Sequence, residues 1–376
     1  MPDVVIAAIT FLSAVAVTMF VMPRLITFAA RYGLLHEPGD PRRVHKVAVP
    51  RIGGIAMFMG FIVALGVTLV LPVERYSEEV ERLLLLAIGA TVIVIAMFYD
   101  DVIGIGPGSK LLIQISVAAL VILPRIHNEQ SGIVIEQFNL PFVGTITLPL
   151  VVAFLFTGFW IVGMMNALNW SDGLDGLAGT IALSASTVLF LHTFFWPRGN
   201  PQFTISLLAI ALCGAIVGFL PFNWHPGRII MGDTGAMFLG FALATTSIIG
   251  GAKIATALLA LGVPIVDTAW MIFSRVLAGR PPMEADRGHL HHRLLDAGWP
   301  QPRIVLTYGA VSFIAGVTGL LLPSRELKLA ALIIVGLGVL ATIAVLANTG
   351  GSKRMPGGKA DPKLTVGVDD QTWSAK

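Results

Sequence analysis

Five aspartates in a strongly apolar chain, Asp100, Asp101, Asp172, Asp175 and Asp233, stand at the ends of hydrophobic runs. A carboxylate at the edge of hydrocarbon is costly, so its presence there points to function before structure. The order of the runs predicts that all five emerge on one side of a membrane, delivered by three separate loops. Acids gathered in this way suit a divalent cation held against phosphate oxygens, the usual setting of a magnesium site.

The residues around the acids fit the same chemistry. In Asn166-Ala-Leu-Asn169-Trp-Ser-Asp172-Gly-Leu-Asp175, the two amides and the two carboxylates are each three apart, so each pair shares a face if its stretch is helical. Adjacent Asp100 and Asp101 need a cation or hydrogen-bond donors between them, and Lys110 follows closely as a phosphate-binding charge. Arg42, Arg43, Lys46 and Arg51 precede Gly53-Gly54, whose amides would be bare for a phosphate at a helix start. Gly232 and Gly235 bracket Asp233 and would let a metal-bound phosphate come close to the backbone. The segment 284–293 carries His289, His291 and His292 beside Arg287 and Arg293. No cysteine supports a zinc site there, and anion binding is the better reading. Asp267 lies about two turns inside its run, where bonding to a neighbouring helix competes with a place in the site.

These residues must be positioned by membrane-spanning elements. The chain is 55% hydrophobic and only 12% charged, against roughly a quarter charged in soluble domains. Runs long enough to cross a bilayer lie near 3–22, 52–71, 83–99, 109–124, 147–166, 175–195, 204–222, 234–251, 254–273, 304–322 and 328–347. The expected fold is an all-α polytopic membrane protein of about eleven transmembrane helices, with the first run a retained helix. Residues 1–347 form its membrane domain and 348–376 a disordered tail. One set of loops plus the tail carries 18 Lys and Arg and the other side 7, which makes the acid-bearing side cytoplasmic, the N-terminus outside and the C-terminus inside. Residues 132–147 alternate apolar and polar, predicting a small outer β-hairpin. The net charge of +3 follows from this topological bias and calls for no nucleic acid. Cys213, the single cysteine, sits within an apolar run as a small core residue.

Five ordered motifs, HK…PRIGG, the Asp pair with Lys110, NALNWSDGLDGLAG, FNWHPGRIIMGDTG and GHLHH, resemble the polyprenyl-phosphate N-acetylhexosamine-1-phosphate transferases, the family of the WecA, TagO and MraY enzymes. The resemblance covers about residues 30 to 300. It implies attack of a polyprenyl phosphate on the β-phosphorus of a UDP-sugar, release of UMP, a need for Mg²⁺ with Mn²⁺ as substitute, and a plasma-membrane location in which a homodimer is compatible. It also implies roles. Asp233 would be the principal metal ligand, helped by Asn169 and Asn166. Asp100, Asp101, Asp172, Asp175 and His291 would belong to the catalytic centre. Lys46, Lys110, Asn223, Arg287, His289 and His292 would contact substrate. The interrupted His289-Leu-His-His292 pattern resembles the N-acetylglucosamine branch and points to UDP-GlcNAc over a muramoyl-pentapeptide donor or another UDP-N-acetyl sugar.

Two other classes compete. An ion-coupled transporter would place its carboxylates near mid-span, whereas most here lie at run ends on one side. A structural scaffold explains the helices but not the clustered oxygen ligands.

Overall fold

The computed structural model describes residues 1–36, 48–195, 202–251, 254–281 and 288–350. Helices dominate because backbone polar groups in hydrocarbon must be satisfied within the chain. Asp3–Arg31 (α1) leads to the two-residue strands Leu35–His36 (β1) and Val49–Pro50 (β2), then to Gly54–Val70 (α2) and Ser77–Ile103 (α3). Pro107–Ile122 (α4) continues as a 3-10 turn over Leu123–Ile126 and is followed by the strands Gln137–Leu140 (β3) and Gly144–Thr147 (β4). Leu150–Ser171 (α5), Leu177–Phe194 (α6), Phe203–Asn223 (α7) and Gly232–Ile249 (α8) come next. Ile254–Ala260 (α9), Gly262–Leu277 (α10), the short Leu290–Asp296 (α11), Gln301–Leu321 (α12) and Arg325–Gly350 (α13) complete the order. β3 and β4 pair antiparallel, with Gln137 opposite Thr147 and Leu140 opposite Gly144.

Among the described residues, nine helices are long and apolar enough to cross a bilayer, and the 17-residue α2 is a shorter apolar helix. This is a multi-pass membrane protein. Every run read as a span is helical, but 254–273 is not one rod: α9 and α10 meet at an angle of 79°. The cause is local. Pro264 has no N–H, and in a continuous helix its ring would press on the carbonyl of Ala260, where α9 ends.

Helix α8 is the axis of the bundle. It is the least apolar of the nine long helices and yet is wholly buried. Gly235 and Gly240 let neighbouring backbones approach closely, while Phe238 and Phe241 fill the space between helices. A Cβ on Gly240 would lie 2.5 Å from Met165 Cα, which shows how tightly α5 crosses it. The outer helices reverse this composition: Leu12, Phe20, Leu155, Phe159, Ile334 and Leu337 are exposed, presenting the large side chains that lipid accepts.

The turns after α3 and α5, the α7–α8 loop and the segment before α2 meet at one end of the bundle, tied by hydrogen bonds such as Gly53 N–H to Ile230 O and Gly176 N–H to Asn223 Oδ1. The opposite end is tied separately, by Thr204 to Glu79, Ser131 to Glu81 and Arg82 to the Gln130 carbonyl. The residues 37–47, 282–287 and the tail from 351, with the expected disordered end, lie outside the described residues.

Candidate active site

The site begins where α3 stops. Gly104 takes a left-handed φ of +79° at the C-cap, and the chain turns back so that Ile105 N–H donates to Asp100 Oδ1 at 2.8 Å. Gly106-Pro107 then opens α4 with proline in the first turn, where its missing N–H costs nothing. That turn carries Lys110, a cation at the wrong end of a helix dipole. Two carboxylates offset the mismatch, since Lys110 Nζ lies 2.6 Å from both Asp100 Oδ2 and Asp233 Oδ2.

Asp233 arrives from the first turn of α8 and also binds Arg51, whose Nη2 is 2.8 Å from Asp233 Oδ1. Carboxylate oxygens of Asp100, Asp101 and Asp233 all lie within 4.8 Å of one another. Asp101 has its own donors: the N–H groups of Asp233 and Thr234 at 3.0 Å each and the Thr234 hydroxyl at 2.7 Å. Burial alone would ease the proton off Arg51, but Asp233, Asp101, Asp172 and Asp100 together outweigh it and hold the guanidinium above its ordinary range. Three carboxylates and two cations leave this cluster one formal negative charge.

Asp172 caps the C-terminal end of α5 and is half-buried. Burial pushes its carboxyl up to about 7, with Arg51 pulling the other way and Asp233, Asp101 and Asp175 adding to the rise. On the preceding turn of α5, the Asn166 amide donates to Gln114 Oε1 at 2.7 Å and to its own helix at Val162 O. Asn169 keeps an amide with no hydrogen-bond partner among the described residues.

Other expected site residues have partners of their own. Asp175, 5% exposed, accepts from Gly227 N–H at 3.0 Å and pairs with His225 Nδ1 at 3.1 Å. Asn223, 1% exposed, accepts from Gly176 N–H at 2.9 Å and donates to Ile229 O at 2.8 Å. Both brace the turn after α5 against the α7–α8 loop, and the oxygen and the nitrogen of the Asn223 amide are each engaged within the protein. The amides of Gly53 and Gly54 are not bare either: they donate to the carbonyls of Ile230 and Met231 at 3.0 and 2.9 Å. A Cβ on Gly54 would overlap the backbone N of Gly235, and one on Gly235 would lie 2.9 Å from Gly54 Cα. These glycines serve backbone contact between α2 and α8, not the approach of a phosphate.

The histidines form a second group. His289 Nδ1 is 2.9 Å from Asp267 Oδ2, and Asp267 Oδ1 accepts the Leu290 N–H at 2.9 Å at the start of α11. The His289 ring meets Trp170 edge-on at 6.0 Å, and the buried Arg275 guanidinium lies 5.4 Å from the same indole. His291 is 1% exposed and stacks on His289 at 5.6 Å. Burial, with His292 and His289 beside it, holds its proton affinity well below the ordinary imidazole range, so it is neutral at pH 7. A Cβ on Gly173 would overlap its Nε2. His291 thus packs as a neutral ring against the Asp172 turn. Lys46 and Arg287 lie outside the described residues.

Sequence reasoning left out Thr234 and Gln114, and took Arg51 for one member of a basic cluster; for Asp267 it named bonding to a neighbouring element, and the structure shows that bonding to His289 and Leu290. Thr234 had the best signal, standing directly after the central acid.

A divalent cation fits the donor set. The clustered carboxylates already draw two side-chain cations to themselves, so the centre needs positive charge, and its donors are the hard oxygens magnesium takes. Among the described residues the side-chain oxygens of Asp233, Asn169 and Asp172 accept no backbone N–H and Asp100 accepts one, that of Ile105, whereas Asp101 accepts two.

Comparison with known proteins agrees with this picture. Residues 83–251 match the family model described as glycosyl transferase family 4. A Bacillus subtilis protein named probable undecaprenyl-phosphate N-acetylglucosaminyl 1-phosphate transferase is 31% identical over 90% of this chain and 92% of its own length. The decaprenyl-phosphate N-acetylglucosaminephosphotransferase of Mycobacterium tuberculosis is 31% identical over 80% of this chain and 78% of its own. A second Bacillus subtilis protein, phospho-N-acetylmuramoyl-pentapeptide-transferase, is 28% identical over 83% of this chain and 96% of its own. With such relatives matched along most of their length, this chain belongs to the polyprenyl-phosphate N-acetylhexosamine-1-phosphate transferase family, glycosyl transferase family 4.

Proposed function

We propose that the protein transfers N-acetylglucosamine 1-phosphate from UDP-GlcNAc to undecaprenyl phosphate or a similar polyprenyl phosphate, with Mg²⁺ or Mn²⁺, and so begins a lipid-linked cell-envelope glycan. One observation carries the reading: Lys110 and Arg51 converge with Asp100 and Asp233 at the end of a transmembrane bundle. The same place offers charge of both signs, for a metal and for phosphate oxygens, next to the lipid in which a polyprenyl chain dissolves.

In the reaction an oxygen of the lipid phosphate bonds to the β-phosphorus of the UDP-sugar, the bond from that phosphorus to the bridging oxygen breaks, and UMP leaves. A phosphate monoester has a second pKa of about 6, so the attacking oxygen is largely ionised at neutral pH and needs no strong base. Transfer of this kind depends on alignment and charge neutralisation. Lys110 and Arg51 neutralise phosphate oxygens, while Asp233, Asp100 and Asn169 hold the metal. Bound there, magnesium supplies the positive charge that the phosphoryl group and departing UMP require. His289, fixed by Asp267, and His292 contact the donor, with Lys46 and Arg287 as further substrate contacts.

The excess of Lys and Arg, 18 against 7, supports a cytoplasmic site in the plasma membrane, with the N-terminus outside and the C-terminus inside. Purified protein given UDP-GlcNAc, polyprenyl phosphate and Mg²⁺ should release UMP, and none should appear without the lipid. The nearest competing donor is UDP-MurNAc-pentapeptide, because a relative bearing that activity in its name is 28% identical. Competition between the two donors decides: a higher kcat/KM for the pentapeptide would replace the present reading.

A further inference from the structure

Helix α8 starts inside the protein, where the first N–H groups of a helix have no water to bind. The usual remedy is a Ser, Thr, Asp or Asn at the N-cap, whose oxygen accepts from the second or third helical N–H. Here the N-cap is Met231, which has no such oxygen. The second and third residues of α8 are Asp233 and Thr234, and their N–H groups donate to Asp101 at 3.0 Å each. The cap comes from another helix, 132 residues away in sequence.

Several details make this arrangement specific. The Asp101 side chain is 0% exposed, and a third donor, the Thr234 hydroxyl, binds the oxygen already held by the Thr234 N–H. Gly232 has φ +71°, and a Cβ there would overlap both Asp101 Oδ2 and the Arg51 carbonyl. Asp100 differs in kind, with one oxygen on a turn N–H and the other on the side-chain ammonium group of Lys110. A metal could displace an ammonium group from Asp100, whereas taking the oxygens of Asp101 would strip the start of α8.

We infer that Asp101 is a positioning residue that acts through α8: it caps the helix from outside and thereby fixes Asp233, while Asp100 and Asp233 provide the carboxylates that meet the metal. This assignment rests on the metal-dependent reading of the cluster, and it divides two adjacent aspartates that the motif presents as a pair.

The test uses the full chain purified in detergent, with Mn²⁺ binding followed by electron paramagnetic resonance and amide exchange of the segment 231–237 followed by mass spectrometry without metal. Asp101→Asn should weaken Mn²⁺ binding about 10- to 100-fold, as losses behind a ligand do, and should speed exchange at the start of α8. Asp100→Asn should weaken Mn²⁺ binding and leave that exchange unchanged. Thr234→Val should produce a smaller loss of both kinds, Thr234→Ser should restore wild-type values, and Asp101→Asn with Thr234→Val should lose less than the product of the single losses. The inference is overturned if Thr234→Val changes neither readout, if the two losses multiply, or if Asp101→Asn leaves exchange as in wild type; the first two would make Asp101 a direct ligand. If Asp101→Asn does not fold, the Thr234→Val and Thr234→Ser comparison decides alone. If wild-type protein binds no Mn²⁺, the metal-dependent reading fails while the exchange data still decide whether Asp101 is the cap.

Discussion

Replacing Lys110 by methionine separates its two tasks, because the side chain keeps its length and loses its charge. In the structure the ammonium group lies 2.6 Å from both Asp100 and Asp233 and is 26% exposed on its side chain. Without it, the three carboxylates face Arg51 alone, and the formal charge of the cluster goes from −1 to −2. Metal-free protein should lose about 2–4 kcal/mol of stability, near the low end of the cost of breaking a buried pair because the group keeps some contact with solvent. Metal affinity should move the other way. For a +1 and a +2 charge separated by about 5 Å, with an effective dielectric constant of roughly 40, Coulomb's law gives about 3 kcal/mol of repulsion removed. Salt screening and relaxation reduce this to about 1–2 kcal/mol, or roughly a tenfold lower Kd for Mg²⁺. Turnover should nonetheless fall at saturating Mg²⁺, since a substrate phosphate loses a charge-assisted contact. Thermal unfolding with and without Mg²⁺, beside UMP release, reads all three quantities. A Lys110→Met protein whose Mg²⁺ affinity is unchanged or weaker than wild type would refute the view that lysine and metal compete for the same carboxylates.

Asp233→Asn should cut UMP release by more than about a hundredfold through loss of an anionic ligand. It should also cost about 1–3 kcal/mol of stability, since Arg51 loses its partner at 2.8 Å while Lys110 keeps Asp100; turnover as in wild type at limiting Mg²⁺ would sink the metal assignment. Asp172 has a folded pKa of about 7, against about 3.9 unfolded, so the native state binds more protons between these values. Metal-free stability should therefore fall as pH rises from about 4 to about 7, by no more than about 4 kcal/mol, and level off above. Asp172→Asn should flatten that slope in chemical unfolding measured across pH. Gly173→Ala should drive a methyl group into His291 and cost about 1–3 kcal/mol; His291→Ala in the same chain should recover part of the loss in thermal unfolding, and no recovery would mean that the clash lies elsewhere.

Features of the chain that depend on neighbours in sequence were legible without coordinates. Run length reveals a crossing helix, and the position of Asp100, Asp172 or Asp233 at the end of its run places each acid at a membrane edge. The break at 261 was also written locally, in Pro264, but a run of apolar residues hides it from a hydropathy reading. What stayed hidden depends on which loops meet. The amides of Gly53 and Gly54 look bare until α8 is laid against α2, and the partners of Asn223 become visible only when the turn after α5 meets the α7–α8 loop. Asp267 could be noticed as an acid inside a span, but its partner His289 becomes visible only when α10 and α11 are side by side.

The separation of Asp100 from Asp101 also has an electrostatic basis. Both acids stand in the last turn of α3, the negative end of a helix dipole, where each carboxylate is disfavoured by about 0.3–1 kcal/mol. Neither is supported by its own helix, so each must be stabilised by a different neighbour. Successive residues on a helix point about 100° apart, and the two carboxylates accordingly reach different elements. Asp101 meets the positive start of α8, whose N–H groups it accepts, and Asp100 meets the positive start of α4 through Lys110. The second arrangement relies on a flexible side chain that can move aside, whereas the first relies on backbone that cannot. A cation entering the cluster therefore encounters one acid of the pair that can change partners and one that holds the scaffold in register.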